Sequence, residues 1–441
     1  MIAGLINEIH SASTDTYFGS VASLRGLLFE VKGLEGYLAT GNQCIVYTAS
    51  GQPIVAEVVG FNNQRAQMMA YQPLNGVGPG CRVEKCRERF TLCPDKTWLG
   101  RVVNGFGEPL DGGSRLTYGA QEYYVYGTPI PAHERQRVTE RMDFGVRALN
   151  TFTTCCYGQR LGIFSGSGVG KSVLMSQIAR YTTADINVIG LIGERGREVR
   201  EFIEEALDPE TLARSVVVVA TSDEPALMRR QAAHLTLTIA EYFRDRGHQV
   251  LCFLDSVTRF AMALREIGLS VGEPPASKGY TPSVFAELPR LLERAGPGHK
   301  DKQGSITGIF TVLVEGDDEN EPISDAVRSI LDGHIMLDRN IANRNRFPAI
   351  NVLRSISRMM PDCNNDDETA LINQARESMA IYDDMSEMIR LGAYRMGSDV
   401  KIDKAIHYHD ALEKFLSQGK HESCDLSEGF SQLQEIMGHE K

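Results

Sequence analysis

The stretch Ser165-Gly166-Ser167-Gly168-Val169-Gly170-Lys171-Ser172 constrains this chain more than any other. It follows the apolar run Leu161 to Phe164 and precedes a helical pattern over Val173 to Tyr181. Strand, glycine-rich loop and helix form the context in which such a loop binds phosphate. Gly166, Gly168 and Gly170 permit a tight turn whose backbone N–H groups point inward at phosphate oxygens. The helix N-terminus adds partial positive charge at the same spot. Lys171 is expected to reach β- and γ-phosphates, and the Ser172 hydroxyl to hold Mg²⁺. The strict spacing G-x-x-x-x-G-K-[ST] places glycine at 165, where this chain carries Ser165. A small residue is expected to fit there.

Beyond the loop, strands and helices alternate. Ile186 to Ile192 and Val216 to Ala220 read as buried strands, and Val199 to Ala206 as a helix. Ser222-Asp223-Glu224-Pro225 reads as a capped helix start, with the helix running to about Arg246 and closed by Gly247. Val250 to Leu254 and Ile306 to Val314 are further strands. The alternation predicts an α/β fold, an open parallel sheet with helices on both faces.

The flanks have other signatures. From Tyr17 to about Lys85, short β-type runs (Phe18–Leu24, Leu27–Val31, Cys44–Thr48, Ile54–Gly60, Ala66–Ala70) are punctuated by glycines and Asn62-Asn63. This predicts a small barrel or sandwich. Asp95 to Pro131 is rich in glycine, proline and tyrosine and reads as a looping connector. After the polar Asn364–Asp367, the pattern is helical to Met437. There Met379, Met385 and Met388 fall at helical spacing with Leu371 and Ala375 and are expected to pack in a core. At the other end, Ile2, Leu5, Ile6 and Ile9 would share one face of a short helix. The expected division is an amphipathic segment 1–16, a β-barrel domain 17–90, a nucleotide-binding domain 91–361 and a helical domain 362–441.

With 46 Lys and Arg against 57 Asp and Glu, the net charge is −11, which speaks against nucleic acid as the main partner. No apolar run approaches the ~18 residues of a membrane helix, and no basic-then-apolar leader is visible. The nine cysteines include no C-x-x-C pair, and Cys81, Cys86 and Cys93 have no histidine nearby to complete a zinc site. They read as reduced packing residues of a cytoplasmic protein.

Two strand ends add chemistry to the loop. Asp255 ends Phe253-Leu254-Asp255, where a carboxylate can organise the Mg²⁺ shell, often through water. Glu194 and Arg195 follow the strand that ends at Ile192, on the side where ligands bind in open α/β sheets. Glu194 is thereby placed to orient and polarise an attacking water, and Arg195 to meet γ-phosphate charge. Arg197 and Glu198 read as charges at a helix start.

Three segments resemble the rotary ATPase superfamily. They are Gly193-Glu194-Arg195-Gly196-Arg197-Glu198, Leu254-Asp255-Ser256-Val257-Thr258-Arg259-Phe260-Ala261, and the run from Gly279 to Gly296. Within it they are similar to type III secretion and flagellar export ATPases, and Gly392-Ala393-Tyr394-Arg395-Met396-Gly397-Ser398-Asp399 leans toward the flagellum-specific member. The resemblance covers nearly the whole chain. It implies a RecA-like core, ATP and Mg²⁺ as ligands, and catalysis by Glu194, where inactive relatives carry glutamine. Lys171, Ser172, Arg195 and Asp255 match family positions. Arg358, in Arg354-Ser355-Ile356-Ser357-Arg358, resembles an arginine finger supplied by a neighbouring subunit. Phe347, before Pro348-Ala349, resembles the aromatic residue that stacks on adenine.

The partners it implies are a homohexamer, a stator-like regulator on residues 1–12, export chaperones and substrates, and a membrane export gate served from the cytoplasm. The expected activity is ATP hydrolysis that engages and unfolds export substrates. A virulence-type injectisome ATPase is the alternative. A noncatalytic nucleotide-binding subunit is disfavoured by Glu194, and an RNA-translocating hexamer by the acidity and by the lack of an aromatic-rich RNA surface.

Overall fold

The computed structural model describes residues 16–86, 90–314 and 321–438. The apolar face Ile2, Leu5, Ile6 and Ile9 lies outside the described residues.

Strands β1 (Phe18–Arg25), β2 (Leu28–Lys32), β3 (Gln43–Tyr47), β4 (Pro53–Asn62), β5 (Arg65–Ala70) and β6 (Arg82–Lys85) form a closed barrel in the order β1-β2-β5-β4-β3-β6. Alternate residues fill it, with Cys44 and Val46 of β3 meeting Ile54, Ala56 and Val58 of β4, Phe29, Met68 and Val83. Asn63 and Gln64 both take positive φ between β4 and β5, the backbone a two-residue hairpin needs. The strand pattern alone fits barrel or sandwich, and the barrel expected for this domain is the one found. Closure depends on β6, which bonds β1 on one side and β3 on the other. Its four residues, Arg82-Val83-Glu84-Lys85, carry a single apolar side chain, too weak a pattern to read as a strand.

The central sheet contains β7 (Val102–Val103), β8 (Arg160–Ser165), β9 (Ile186–Glu194), β10 (Ser215–Thr221), β11 (Gln249–Asp255), β12 (Ser305–Leu313), β13 (Gly333–Leu337) and β14 (Ile350–Ser357). Their order is β14-β13-β8-β12-β11-β9-β10-β7. Neighbours run parallel except β13 and β14, which are antiparallel. Side chains alternate between two apolar clusters. Val216, Val218 and Ala220 face one, and Val217 and Val219 the other. Both faces are therefore buried, which explains the unbroken valine run.

Helices α1 (Arg147–Phe152), α2 (Lys171–Tyr181), α3 (Gly196–Glu201), α4 (Ala226–Arg244), α5 (Val257–Ser270), α6 (Pro282–Leu292) and α7 (Pro322–Ile330) surround the sheet. Leu235 of α4, Phe260 of α5, Leu288 of α6 and Val327 of α7 pack on one face, and Leu174 and Ile178 of α2 on the other.

Two local expectations are corrected. The helix expected over Val199–Ala206 starts at Gly196 and becomes a π-turn over Phe202–Ala206. The Leu207 amide there donates to the Phe202 carbonyl, five residues back. The start of α4 carries no side-chain cap. Pro225 occupies the N-cap position, and Glu224 accepts instead from the Thr221 amide. Gly247 does close the helix, at φ +90°, with its amide bonded to the Arg244 carbonyl.

Three helices follow, α8 (Asp366–Arg390), α9 (Val400–Leu416) and α10 (Leu426–Gly438). Asn365 and Glu368 form a reciprocal capping box at the start of α8. Ile372, Ala375, Tyr408, Leu412, Phe415, Phe430 and Leu433 join the same cluster as α2, so the helical part shares a core with one sheet face. The methionine expectation holds only in part. Met379 packs against this cluster, but Met388 is exposed, because α8 buries only its first half.

Polar contacts fix both flanks. Glu57 of β4 and Arg230 of α4 pair at 2.6 Å, and both are buried or nearly so. Arg147 of α1 donates to the carbonyls of Phe415 (2.8 Å) and Ser417 (2.6 Å) and to Glu422 (2.5 Å). Its own amide donates to Gln418. Arg147→Ala would leave the buried Phe415 carbonyl and the part-buried Ser417 carbonyl without their arginine donor. The expected loss is about 2–3 kcal/mol, read as a lower urea midpoint. Proteolysis should then release residues C-terminal to α8 faster than the barrel.

Candidate functional site

The site forms where the parallel strands end. β8 runs into the glycine-rich loop at Ser165, and α2 starts at Lys171. Gly168 (φ +78°) and Gly170 (φ +95°) occupy the left-handed region, where a side chain would be strained. A Cβ on Gly170 would also touch the Phe347 ring at 3.5 Å. Loop and aromatic ring are thus neighbours, although Gly170 and Phe347 are far apart in sequence.

Strand order brings the acids in. β12 lies between β8 and β11, and β9 lies beyond β11. Asp255 ends β11 and Glu194 ends β9, so both reach the loop lysine. Lys171 Nζ donates to Glu194 Oε1 at 3.5 Å and to Asp255 Oδ1. Thr311 Oγ1, on the intervening β12, donates to the same Asp255 oxygen at 2.6 Å. Burial opposes the Lys171 charge, but Asp255 and then Glu194 hold its ammonium above the ordinary lysine range. Burial, then the Asp255 charge, pushes the Glu194 carboxyl up to about 7, against the pull of Lys171. A carboxyl poised near neutrality suits proton exchange with water.

Lys171 and Glu194 line a cleft of about 700 Å³ with Ser167, Ser172 and Arg195, and Asp255 and Thr311 are buried behind them. Ser172 is exposed at the start of α2. Arg195 stands at the mouth, its side chain 74% exposed and paired with Glu198 at 3.4 Å. Phe347 is 39% exposed, which leaves ring surface for a ligand to cover. Arg358 does not join the cleft of its own chain. It is exposed, and its amide donates to the carbonyl of Asp332, the residue before β13. That is the amino-terminal edge of the parallel strands, the end opposite the loop.

Two further cations line the cleft that the sequence reading did not single out. Arg339 donates to the Ser167 carbonyl at 3.3 Å. Arg259, in the first turn of α5, packs on Gly193, where a Cβ would come within 2.8 Å of its own. The Arg259 Nε is buried with no hydrogen-bond partner among the described residues. A signal was available, since a cation in the first turn of a helix opposes the helix dipole and calls for an anion nearby. Among the described residues no group of three or more metal-ligating side chains is preassembled, and no helix is long and apolar enough to cross a membrane.

A phosphate-binding loop, a lysine held by two strand-end carboxylates and a cleft edged with arginines define a P-loop nucleoside triphosphatase. Residues 145–357 match the ATP synthase alpha/beta family, nucleotide-binding domain, and residues 365–435 match the T3SS EscN ATPase C-terminal domain. The flagellum-specific ATP synthase of Caulobacter vibrioides is 55% identical over 440 residues, 99% of each chain. The assembled ATPase EscN of the enteropathogenic E. coli type III secretion system superposes with a TM-score of 0.89 at 39% identity, over 95% of this chain and 99% of that one. EscN in complex with its central stalk EscO gives 0.86 at 38%, over the same shares of the two chains. The chain belongs to the flagellum-specific ATP synthase family, the ATPases of flagellar type III export. The flagellum-specific relative of Caulobacter vibrioides, at 55% identity, is more similar than the SPI-2 type 3 secretion system ATPase of Salmonella typhimurium, at 46% over 87% of each chain, which favours the flagellar reading over the virulence-type alternative.

Lys171→Ala should weaken ATP binding by about a hundredfold, the loss of one strong charge-assisted contact. Titration with a fluorescent ATP analogue measures it.

Proposed function

We propose that the cleft hydrolyses Mg-ATP to ADP and phosphate with the following division of roles. The loop from Gly166 to Gly170, including Ser167 and Val169, cradles the phosphates with its amides, and Lys171 moves from the carboxylates onto the β- and γ-phosphates. The metal would be held by the Ser172 hydroxyl directly and by Asp255 through water. The oxygen-only donor set, a hydroxyl and a carboxylate, fits Mg²⁺, which takes few protein ligands and keeps its waters. Held by these two residues, the metal would supply positive charge against the charge that develops on the phosphates. Glu194 orients the attacking water and accepts its proton, for which a carboxyl near 7 is suited. Arg195 and Arg259 meet the charge spreading over the γ-phosphoryl oxygens. Phe347 stacks on adenine, for which the face of a phenyl ring suffices.

The convergence of Lys171, Glu194 and Asp255 carries this reading. Glu194→Gln should bind ATP within about threefold of the wild type yet hydrolyse it about 10²–10⁴ times more slowly, the usual worth of a positioned base. Phosphate release in single turnover tests this, and near-normal turnover would remove Glu194 from its role.

Arg358 faces away from its own cleft, so its proposed work is at a neighbour's. The chain would act as a homohexamer in which Arg358 of each subunit meets phosphates on the next subunit's Lys171. Such fingers are worth about 10³–10⁵ in rate. The assembled state of EscN supports this. Arg358→Ala and Lys171→Ala proteins, each inactive alone, should partly recover activity when mixed, because some interfaces pair two intact residues. Specific activity should also rise with protein concentration. Co-assembly without recovery would exclude a finger acting across the interface.

The proposed setting is the cytoplasmic side of a membrane export gate, with export chaperones and their substrates as clients and no nucleic acid. Residues 1–12 would dock a stator-like regulator. A stalk protein, as EscN has in EscO, would meet the hairpin tip between α8 and α9. Leu391 (82%), Met396 (66%) and Val400 (72%) are unusually exposed there. The domain limits 17–90, 91–361 and 362–441 complete the proposal.

A further inference from the structure

β12 contributes one buried group behind the cleft, bonded to Asp255, that no role above uses. Thr311 is fully buried, and its register neighbour on the loop strand is Ile163. On the other side of β12 runs β11, which ends in Asp255. The Thr311 hydroxyl donates to Asp255 Oδ1 at 2.6 Å, and Leu254 O, at 3.5 Å, is a distant second acceptor. Asp255 Oδ1 also takes the Lys171 ammonium. No donor among the described residues reaches Asp255 Oδ2. One carboxylate oxygen is thus doubly held and the other is free of protein donors.

The two holders differ in permanence. Lys171 has a flexible stem, and phosphate competes for its charge. Thr311 sits in the middle of a sheet, and its β-branched side chain has restricted χ1 freedom. When Lys171 leaves for the phosphates, Thr311 is the partner that remains on Oδ1. We infer that Thr311 is a positioning residue for the metal site. Its hydroxyl locks the Asp255 carboxylate so that Oδ2 faces the hydrated cation while Lys171 exchanges partners. The inference rests on the reading of Asp255 as the acid that organises Mg²⁺. A packing role alone would be met equally well by valine, which has the same shape without the hydroxyl.

The test uses the full chain and a fluorescent ATP analogue, with binding followed in EDTA and across a Mg²⁺ titration. Thr311→Val should raise the Mg²⁺ concentration for half-maximal enhancement of nucleotide binding by about tenfold, the scale of one hydrogen bond to a charged group. Thr311→Ser should return it to within about twofold of the wild type. Binding in EDTA should be the same for all three. In turnover, Thr311→Val should be limited at low Mg²⁺ and recover as Mg²⁺ saturates. Equal Mg²⁺ dependence of Thr311→Val and wild type would overturn the inference, provided that Asp255→Asn shifts it. If Asp255→Asn shifts nothing, the reading of Asp255 itself fails, and the inference with it. Should the valine protein lack a cooperative thermal transition, Thr311→Ala carries the same comparison with the same outcomes.

Discussion

One buried cation between two buried carboxylates governs the centre of this molecule. Lys171, Glu194 and Asp255 come from three separate segments, and each is largely withdrawn from water. Burying any one of them alone would be costly, so they tolerate burial only together. That requirement fixes the order of the strands around them. β8 must place the loop beside the ends of β9 and β11, with β12 as the spacer. A ligand that brings its own negative charge can take over Lys171, and a divalent cation can take over the acids. The resting arrangement is therefore already charge-matched to what displaces it.

The helical part is tied to this centre rather than appended to it. The Gln418 amide donates to the Phe347 carbonyl at 2.7 Å, and the Gln418 side chain bonds both the Arg147 amide and the Gly145 carbonyl. Arg147 in turn grips the end of α9. Phe347 packs against the loop at Gly170. Phe347 and the end of α9 are thereby linked through the buried Gln418 and the nearly buried Arg147.

Much of this was legible in the sequence because local signals and chemistry coincided. The loop, the valine strand at 216–220 and the acids after Phe253 and Gly193 each combine a pattern with a functional residue type. What escaped depended on distant segments. β6 closes the barrel with one apolar residue, so its strand character comes from two neighbours rather than from its own sequence. The π-turn at Phe202–Ala206 keeps helical spacing closely enough to read as an ordinary helix. Met388 shares the spacing of Met379 but lies exposed near the end of α8, although Tyr382 in the same half stacks on His409 of α9. Arg259 and Arg339 gain meaning only when the fold brings them to the loop.

The antiparallel direction of β14 gives the chain a property that a parallel strand would not. β14 starts beside the end of β13, near the loop, and finishes beside its beginning. Phe347 precedes it and Arg358 follows it. One strand of eight residues, about 26 Å long at strand rise, therefore spans the full depth of the sheet with an aromatic ring beside the glycine-rich loop at one end and a guanidinium at the other. In a ring of such subunits, successive clefts would be joined by one strut per subunit. A tilt of that strut where nucleotide enters one cleft would swing the cation presented to the next, much as a seesaw couples its two seats.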